Sequence, residues 1–405
     1  MTVTIIITFC TLLLLAYLFD LTSSKTRIPS VILLLILGWV VRQSTTFLGI
    51  LLPDFTRILP ILGTIGLILI VLEGSLEVEL NRSKIGIIKK SFFGAILPMI
   101  FLAFLLGFLF SYYGQYDLKD SLLNAIPFCI ISSAIAIPSI RNLTSSNKEF
   151  IIYESSLSDI LGVLLFNFFA VNEIINIKSF GHFGLELLIM SVVSFIGTIG
   201  LSFLLNKIKH HVKFVPIILL VILIYALSQI YHLPGLIFIL VFGLFIGNFE
   251  ELKHLKWIKK FRSEELNTEV QKFKELTAEV AFLVRALFFL LFGYLLETSE
   301  ILNPDTLLWA FIIVVLIFVF RIIQLKLSRL LLRPLLFIAP RGLVTILLFL
   351  SIESAHHISL VNKSLIIQVI ILTSLLMMIG LMTNKTKSEI TETNPPEILA
   401  TTEAV

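Results

Sequence analysis

The chain has 405 residues, a net charge of +4, 57% hydrophobic and 14% charged residues, and a mean hydropathy of +1.02. Soluble domains carry roughly 25% charge, so this apolar excess excludes a water-soluble globular protein. At about 20 apolar residues per crossing, roughly a dozen bilayer crossings fit the length. Cys10 and Cys129 both lie in apolar runs and form neither a disulfide framework nor a metal-ligand spacing.

Apolar runs recur at 3–19, 28–41, 58–76, 92–111, 121–140, 150–171 and 183–205, then at 214–231, 233–249, 277–297, 306–325, 335–352 and 364–382. They read as an all-α polytopic membrane protein of about thirteen transmembrane helices. The first run has no basic residues before it and no small-residue cleavage pattern after it, so a retained span is expected rather than a signal peptide. The runs on either side of His232, Pro234 and Gly235 have almost no loop between them, and a single re-entrant element is the alternative there.

Basic residues mark the cytoplasmic side. Of the 31 Lys and Arg residues, 23 fall in one set of alternate loops and 5 in the other. This bias predicts an outside N-terminus and a cytoplasmic C-terminus. Three arginines remain within the spans: Arg285, Arg321 and Arg341. Residues 250–276 interleave 7 basic and 6 acidic side chains, the pattern of a solvated cytoplasmic connection with helical propensity. The tail 383–405, rich in Thr and Glu with Pro395 and Pro396, is expected to be disordered and too short for a nucleotide-sensing domain.

A charge at mid-membrane costs at least about 2.5–3.5 kcal/mol, so each one is a functional candidate or half of a structural pair. The candidates are Glu73, Glu154, Asp159, Glu279, Arg285, Arg321, Arg341 and Glu353. Asp159 lies halfway along its span with no basic neighbour in sequence. A carboxylate in a low-dielectric cavity takes either a proton or a small cation, because both compete for the same oxygens. That is the minimal device for exchange. Ser158, just before it, offers a hydroxyl oxygen of the kind hard cations prefer. Glu154 and Arg321 stand at comparable depth toward the cytoplasmic side and are expected to pair, as a structural or gating bridge. Arg285 has Glu73 as its candidate partner.

The fifth span contains Pro127 and then Ser132, Ser133 and Pro138, and the twelfth contains Pro340, Arg341, Gly342 and Thr345. Such interruptions free backbone groups, and transporters place them at binding sites. With residues 1–172 and 212–382 as two six-helix repeats and 183–205 as the linker helix, the two broken helices fall in corresponding places. An offset of seven spans inverts the repeat. Two half-helices crossing at mid-bilayer would leave negative ends for Arg341 to balance, with Ser132 and Ser133 facing Asp159.

The run Glu154-Ser-Ser-Leu-Ser-Asp159 resembles the Glu-Ser-Leu-Leu-Asn-Asp signature of sodium/proton exchangers in the cation:proton antiporter superfamily. Pro340-Arg341-Gly342 looks like their Arg-Gly motif on the second broken helix, and Arg321 like their basic residue on the helix just before it. Glu73-Gly74 and the stretch Ser132–Pro138 are similar to less specific family patterns. The resemblance implies that Asp159 is the carboxylate for exchanged ion and proton, with Glu154 and Arg321 a pair between core helices. It also implies a homodimer in which the core moves against a dimerisation domain. Ser158 replaces the Asn of electroneutral members and the second Asp of electrogenic ones, and a single carboxylate favours one-for-one exchange. Sodium is the expected cation. The alternatives are a potassium/proton antiporter, or an ion-coupled symporter or channel on a similar scaffold. No cofactor, bound metal or nucleic acid is expected, and membrane lipid surrounds the chain. No Gly-x-x-x-x-Gly-Lys loop is present. The adjacent pairs His210-His211 and His356-His357 do not converge on a metal, so no enzyme is expected. The expected setting is the cell or inner membrane, in pH homeostasis.

Overall fold

The computed structural model describes residues 2–26, 28–49, 55, 57–78, 82–140, 143–172, 175–207, 214–231, 233–248 and 264–383. The expected tail beyond Thr383, most of the polar connection (250–263), and His210, His211, His232 and His254 lie outside the described residues.

Every regular element among the described residues is helical. In order these are α1 (Thr2–Thr26), α2 (Ser30–Phe47), α3 (Ile58–Glu77), α4 (Ile85–Gly114), α5 (Leu118–Ala125), α6 (Ser133–Ser139), α7 (Ser145–Val171) and α8 (Ile177–Lys207). There follow α9 (Phe214–Ile230), α10 (Leu236–Gly247), α11 (Glu264–Tyr294), α12 (Thr298–Ile301), α13 (Pro304–Leu327), α14 (Leu343–Ser351) and α15 (Lys363–Thr383). Among the described residues nine segments are able, by length and composition, to cross a membrane, α5 and α6 counting as one, and three shorter apolar stretches accompany them.

α9 and α10 are separate helices, with Pro234 and Gly235 in the turn between them. α11 begins thirteen residues before the expected span at 277. Its polar first half is amphipathic: Val270, Phe273 and Thr277 turn inward at helical spacing while Gln271, Lys272 and Glu275 stay exposed.

The helices fall into two packing groups. In one, α3 and α11 pack on each other, with α2 on α11 and α10 on both α3 and α8. The other contains α4, α5, α6, α7, α13, α14 and α15. α3 joins them, touching α6, α7 and α14. Burial follows this plan: 83% of the most apolar stretch of Leu118–Ser139 is buried, against 22% for Ile177–Leu201. The broken helix therefore runs through the protein interior, and α8 lies at the periphery with most of its apolar side chains turned outward.

Both breaks have identifiable causes. Pro127, which has no N–H to donate, opens a 3-10 turn at Ile126–Cys129, and Ile130 and Ser132 are extended before the chain re-enters a helix at Ser133. In the second, a 3-10 turn at Leu335–Phe337 follows Pro334, and Pro340 and Gly342 precede α14. The backbones touch where they are unwound: the Ser132 N–H donates to the Pro340 carbonyl at 2.9 Å.

Candidate functional site

Asp159 sits on α7 opposite the first break and is 1% exposed. The first N–H groups of a helix have no intrahelical acceptor, and that of Ser133, the first residue of α6, donates to Asp159 Oδ2 at 3.2 Å. The Ser133 hydroxyl hydrogen-bonds to the same oxygen. Asp159 Oδ1, also buried, has no hydrogen-bond partner among the described residues. Ser133 thus spends both its donors on one carboxylate oxygen and leaves the other oxygen open to a cation or proton.

The neighbouring serines do different things. Ser158 Oγ accepts the Ile131 N–H at 2.9 Å, so its hydroxyl holds the unwound strand of the first break against α7. Ser132, expected to face Asp159, contributes its backbone to Pro340 instead. Its hydroxyl has no hydrogen-bond partner among the described residues and lies against Gly342, where a Cβ would come within 2.7 Å of Oγ. Adjacent residues entering a helix point about a third of a turn apart, so one of the two faces the carboxylate and the other does not.

Arg341 is 3% exposed and reaches across the breaks. Its Nε donates to the Phe128 carbonyl at 2.6 Å and an Nη to the Ala339 carbonyl at 3.1 Å. Its backbone N–H donates to the Thr373 hydroxyl on α15 at 3.1 Å. These are carbonyls that the helix interruptions release, and a guanidinium satisfies them with charge-assisted bonds.

A second polar cluster lies one and a half turns earlier on α7. Glu154, fully buried, meets Arg321 of α13 at 2.5 Å through Oε1. Gln324 completes a triangle: its amide nitrogen donates to the same Glu154 oxygen at 2.6 Å, and its carbonyl oxygen accepts from Arg321 at 2.8 Å. Arg321 also donates to the carbonyls of Leu335 and Ile338, each at 3.2 Å, in the chain that leads to the second break. Gly94 of α4 leaves the room for this. A Cβ there would stand 2.5 Å from the Gln324 amide nitrogen and 3.1 Å from Glu154 Oε1.

A cavity of about 130 Å³ reaches Ser133, the residue bonded to Asp159, and is lined besides by Pro138, Glu73, Glu77, Lys148 and Arg285 among others. Arg285 stands 3.8 Å from Glu73 across it. The remaining charges are elsewhere: Glu279 on α11 and Glu353 just beyond α14 are both exposed. Helical spacing turns Thr277 and Ala281 of α11 inward and Glu279 outward, and Glu353 follows the last buried residue of its segment, Ile352. No group of three or more metal-ligating side chains occurs among the described residues.

Gln324 and Thr373 were not among the expected site residues. Gln324 had one signal, its i, i+3 spacing from Arg321 on a single helix face. Thr373 had none.

The family model for transmembrane sodium/hydrogen exchangers matches residues 10–384. Two solved structures of the sodium proton antiporter MjNhaP1 from Methanocaldococcus jannaschii share the fold. The one at pH 8 has 19% identity and a TM-score of 0.66, covering 94% of this chain and 96% of that one. The other, an electron-microscopy structure, has 18% identity and the same TM-score, covering 94% and 95%. Among curated proteins none matches this chain in sequence. With the matched region spanning nearly the whole chain, the protein belongs to the transmembrane sodium/hydrogen exchanger family and is a multi-pass cation/proton antiporter, not an enzyme.

Proposed function

We propose that the protein exchanges sodium for protons one for one, with Asp159 binding either species and never both. The observation that carries this reading is the half-satisfied carboxylate: Ser133 holds Oδ2, Oδ1 is without a hydrogen-bond partner among the described residues, and Ser133 itself lines the neighbouring cavity. That cavity is the route by which ions reach the site. It lies at the end of α3 that precedes Arg82, Lys84, Lys89 and Lys90, the basic and therefore cytoplasmic side, so the conformation is inward-facing. The N-terminus is outside and the C-terminus in the cytoplasm of a cell whose plasma or inner membrane holds the protein.

In this mechanism a sodium ion arriving from the cavity displaces the proton on Asp159 and uses Oδ1 together with nearby hydroxyl and carbonyl oxygens. Glu154 and Arg321 neutralise each other and stay out of the exchange, while Arg341 balances the carbonyl ends of the two breaks. The group containing both breaks then moves as a body against α3 and its neighbours, carrying the site to the other side. Inverted repeats at 1–172 and 212–382 supply the symmetry for two such conformations, and two copies assemble through the other group of helices. A single titrating carboxylate, with Arg321 keeping its charge at all physiological pH, makes the cycle electroneutral.

Proton efflux from acidified proteoliposomes on addition of sodium, potassium or lithium tests the reading. Sodium should drive efflux in the wild type, Asp159→Asn should abolish it, and imposing a membrane potential of either sign should leave the rate unchanged. Wild-type exchange in Asp159→Asn would overturn the assignment.

A further inference from the structure

Gln324 is not charged, does not touch Asp159, and belongs to neither of the sequence motifs above. Yet it is 5% exposed, it is bonded through both ends of its amide, and α4 gives up a side chain at Gly94 to admit it. Both donors, the Gln324 amide and the Arg321 guanidinium, converge on Glu154 Oε1, and Oε2 has no hydrogen-bond partner among the described residues. A bare ion pair of glutamate and arginine has two equivalent oxygens and several ways to meet. The amide removes that freedom, because its carbonyl steers one Arg321 nitrogen while its NH₂ fixes the oxygen that nitrogen meets.

The remaining Arg321 nitrogens hold the Leu335 and Ile338 carbonyls. Three residues after Ile338 stands Arg341, which reaches Phe128 at the end of the first 3-10 turn. Ile131, three residues beyond Phe128, is bonded to Ser158 beside Asp159. The amide at 324 therefore stands at one end of a series of hydrogen bonds linked by two three-residue stretches of backbone, 338–341 and 128–131, whose other end is Ser158 beside the carboxylate.

We propose that Gln324 is a positioning residue for exchange: by locking Arg321 onto one oxygen of Glu154 it sets the register of the second break, and through Arg341 that of the first, against Asp159. This rests on the reading of Asp159 as the exchanging carboxylate. Few ionisable groups surround the amide. Glu154 faces it from α7 and Arg321 from its own helix, while Arg341 and Cys129 of the two breaks line the small cavity alongside. α4 contributes only uncharged residues to that cavity, Gly94 and Met99 among them.

The test is sodium-driven proton efflux from proteoliposomes holding Gln324→Met, Gln324→Glu or wild-type protein, with Asp159→Asn as a separate control. Methionine keeps the volume and loses both bonds, so exchange should fall about tenfold or more, the usual effect of deleting hydrogen bonds to buried charged groups. Glutamate gives the sharper result. Protonated, it presents one O–H and one carbonyl oxygen, the pattern of the amide; ionised, it offers acceptors only and opposes Glu154. The rate of Gln324→Glu relative to wild type, taken pH by pH, should therefore climb as pH falls. A residue that merely fills space gives a flat ratio, and a flat ratio or wild-type exchange in Gln324→Met overturns the proposal. If Gln324→Met does not fold, the pH course of the glutamate variant decides alone. Exchange surviving in Asp159→Asn would instead sink the underlying site assignment, whatever the variants at 324 do.

Discussion

The backbone N–H of Ser132 donates to the carbonyl of Pro340, main chain to main chain, at 2.9 Å. This bond joins the two interrupted helices at the points where each has lost its regular structure. It is indifferent to the side chain at 132, whereas its neighbour Ser133 acts through hydroxyl and backbone together.

That difference predicts an asymmetry between adjacent serines. Ser133→Ala removes the hydroxyl bond to Asp159 and keeps the backbone one. A hydrogen bond to a charged group is worth about 1.5–3 kcal/mol, so the sodium concentration giving half-maximal exchange should shift about tenfold or more. Ser132→Ala removes a hydroxyl with no hydrogen-bond partner among the described residues and should leave that concentration nearly unchanged. Titrating exchange against sodium for both variants checks this, and equal effects would contradict the geometry.

Competition for a single carboxylate has a distinctive signature. Where Asp159 is mostly protonated, each unit fall in pH should raise the apparent sodium KM about tenfold, with maximal rate little changed, because the proton must leave before sodium enters. Initial rates over a grid of sodium and proton concentrations provide the measurement. A KM independent of pH would mean that the two ions occupy separate groups.

The Glu154–Arg321 contact should govern stability more than selectivity. Removing one partner of a buried pair costs about 3–5 kcal/mol because the other charge is stranded. Glu154→Gln and Arg321→Leu should each lower the melting temperature of the detergent-purified protein, and the double variant should be more stable than the sum of the two losses implies. Thermal unfolding followed by fluorescence reads this. Strict additivity would show that the residues act independently.

Gly94 predicts a steric effect at a distance from any charge. Alanine there places its Cβ 2.5 Å from the Gln324 amide nitrogen, forcing the triangle apart or α4 outward. Overpacking of this kind typically costs about 1–3 kcal/mol. The melting temperature of Gly94→Ala should fall, whereas Gly86→Ala on the same helix, where a Cβ meets nothing within 4 Å, should match wild type.

The all-α membrane architecture was legible because hydropathy reports burial in lipid directly, and the breaks because Pro127, Pro340 and Gly342 act on the backbone wherever they stand. Contact between Glu154 and Arg321 was readable too, from two opposite charges at similar depth in an apolar setting. Gln324 was not, since a neutral amide in a membrane span carries no electrostatic signal and gains meaning only from the neighbours that folding brings. The orientations of Ser132 and Ser133 depend on where α6 starts, which two identical adjacent residues do not reveal. The early start of α11 escaped hydropathy for the opposite reason: its first turns are polar, and their helical order comes from an inward stripe of Val270, Phe273 and Thr277.

Around the cavity that Ser133 lines, Glu77 and Glu73 are matched by Lys148 and Arg285. Rims of a single sign concentrate counter-ions and make entry depend steeply on background electrolyte. With formal charges that cancel, this lining neither gathers cations nor repels them, so under the proposed entry route their supply to Asp159 tracks the bulk concentration. On that proposal, exchange responds to the amount of the transported cation and not to the ionic strength around it.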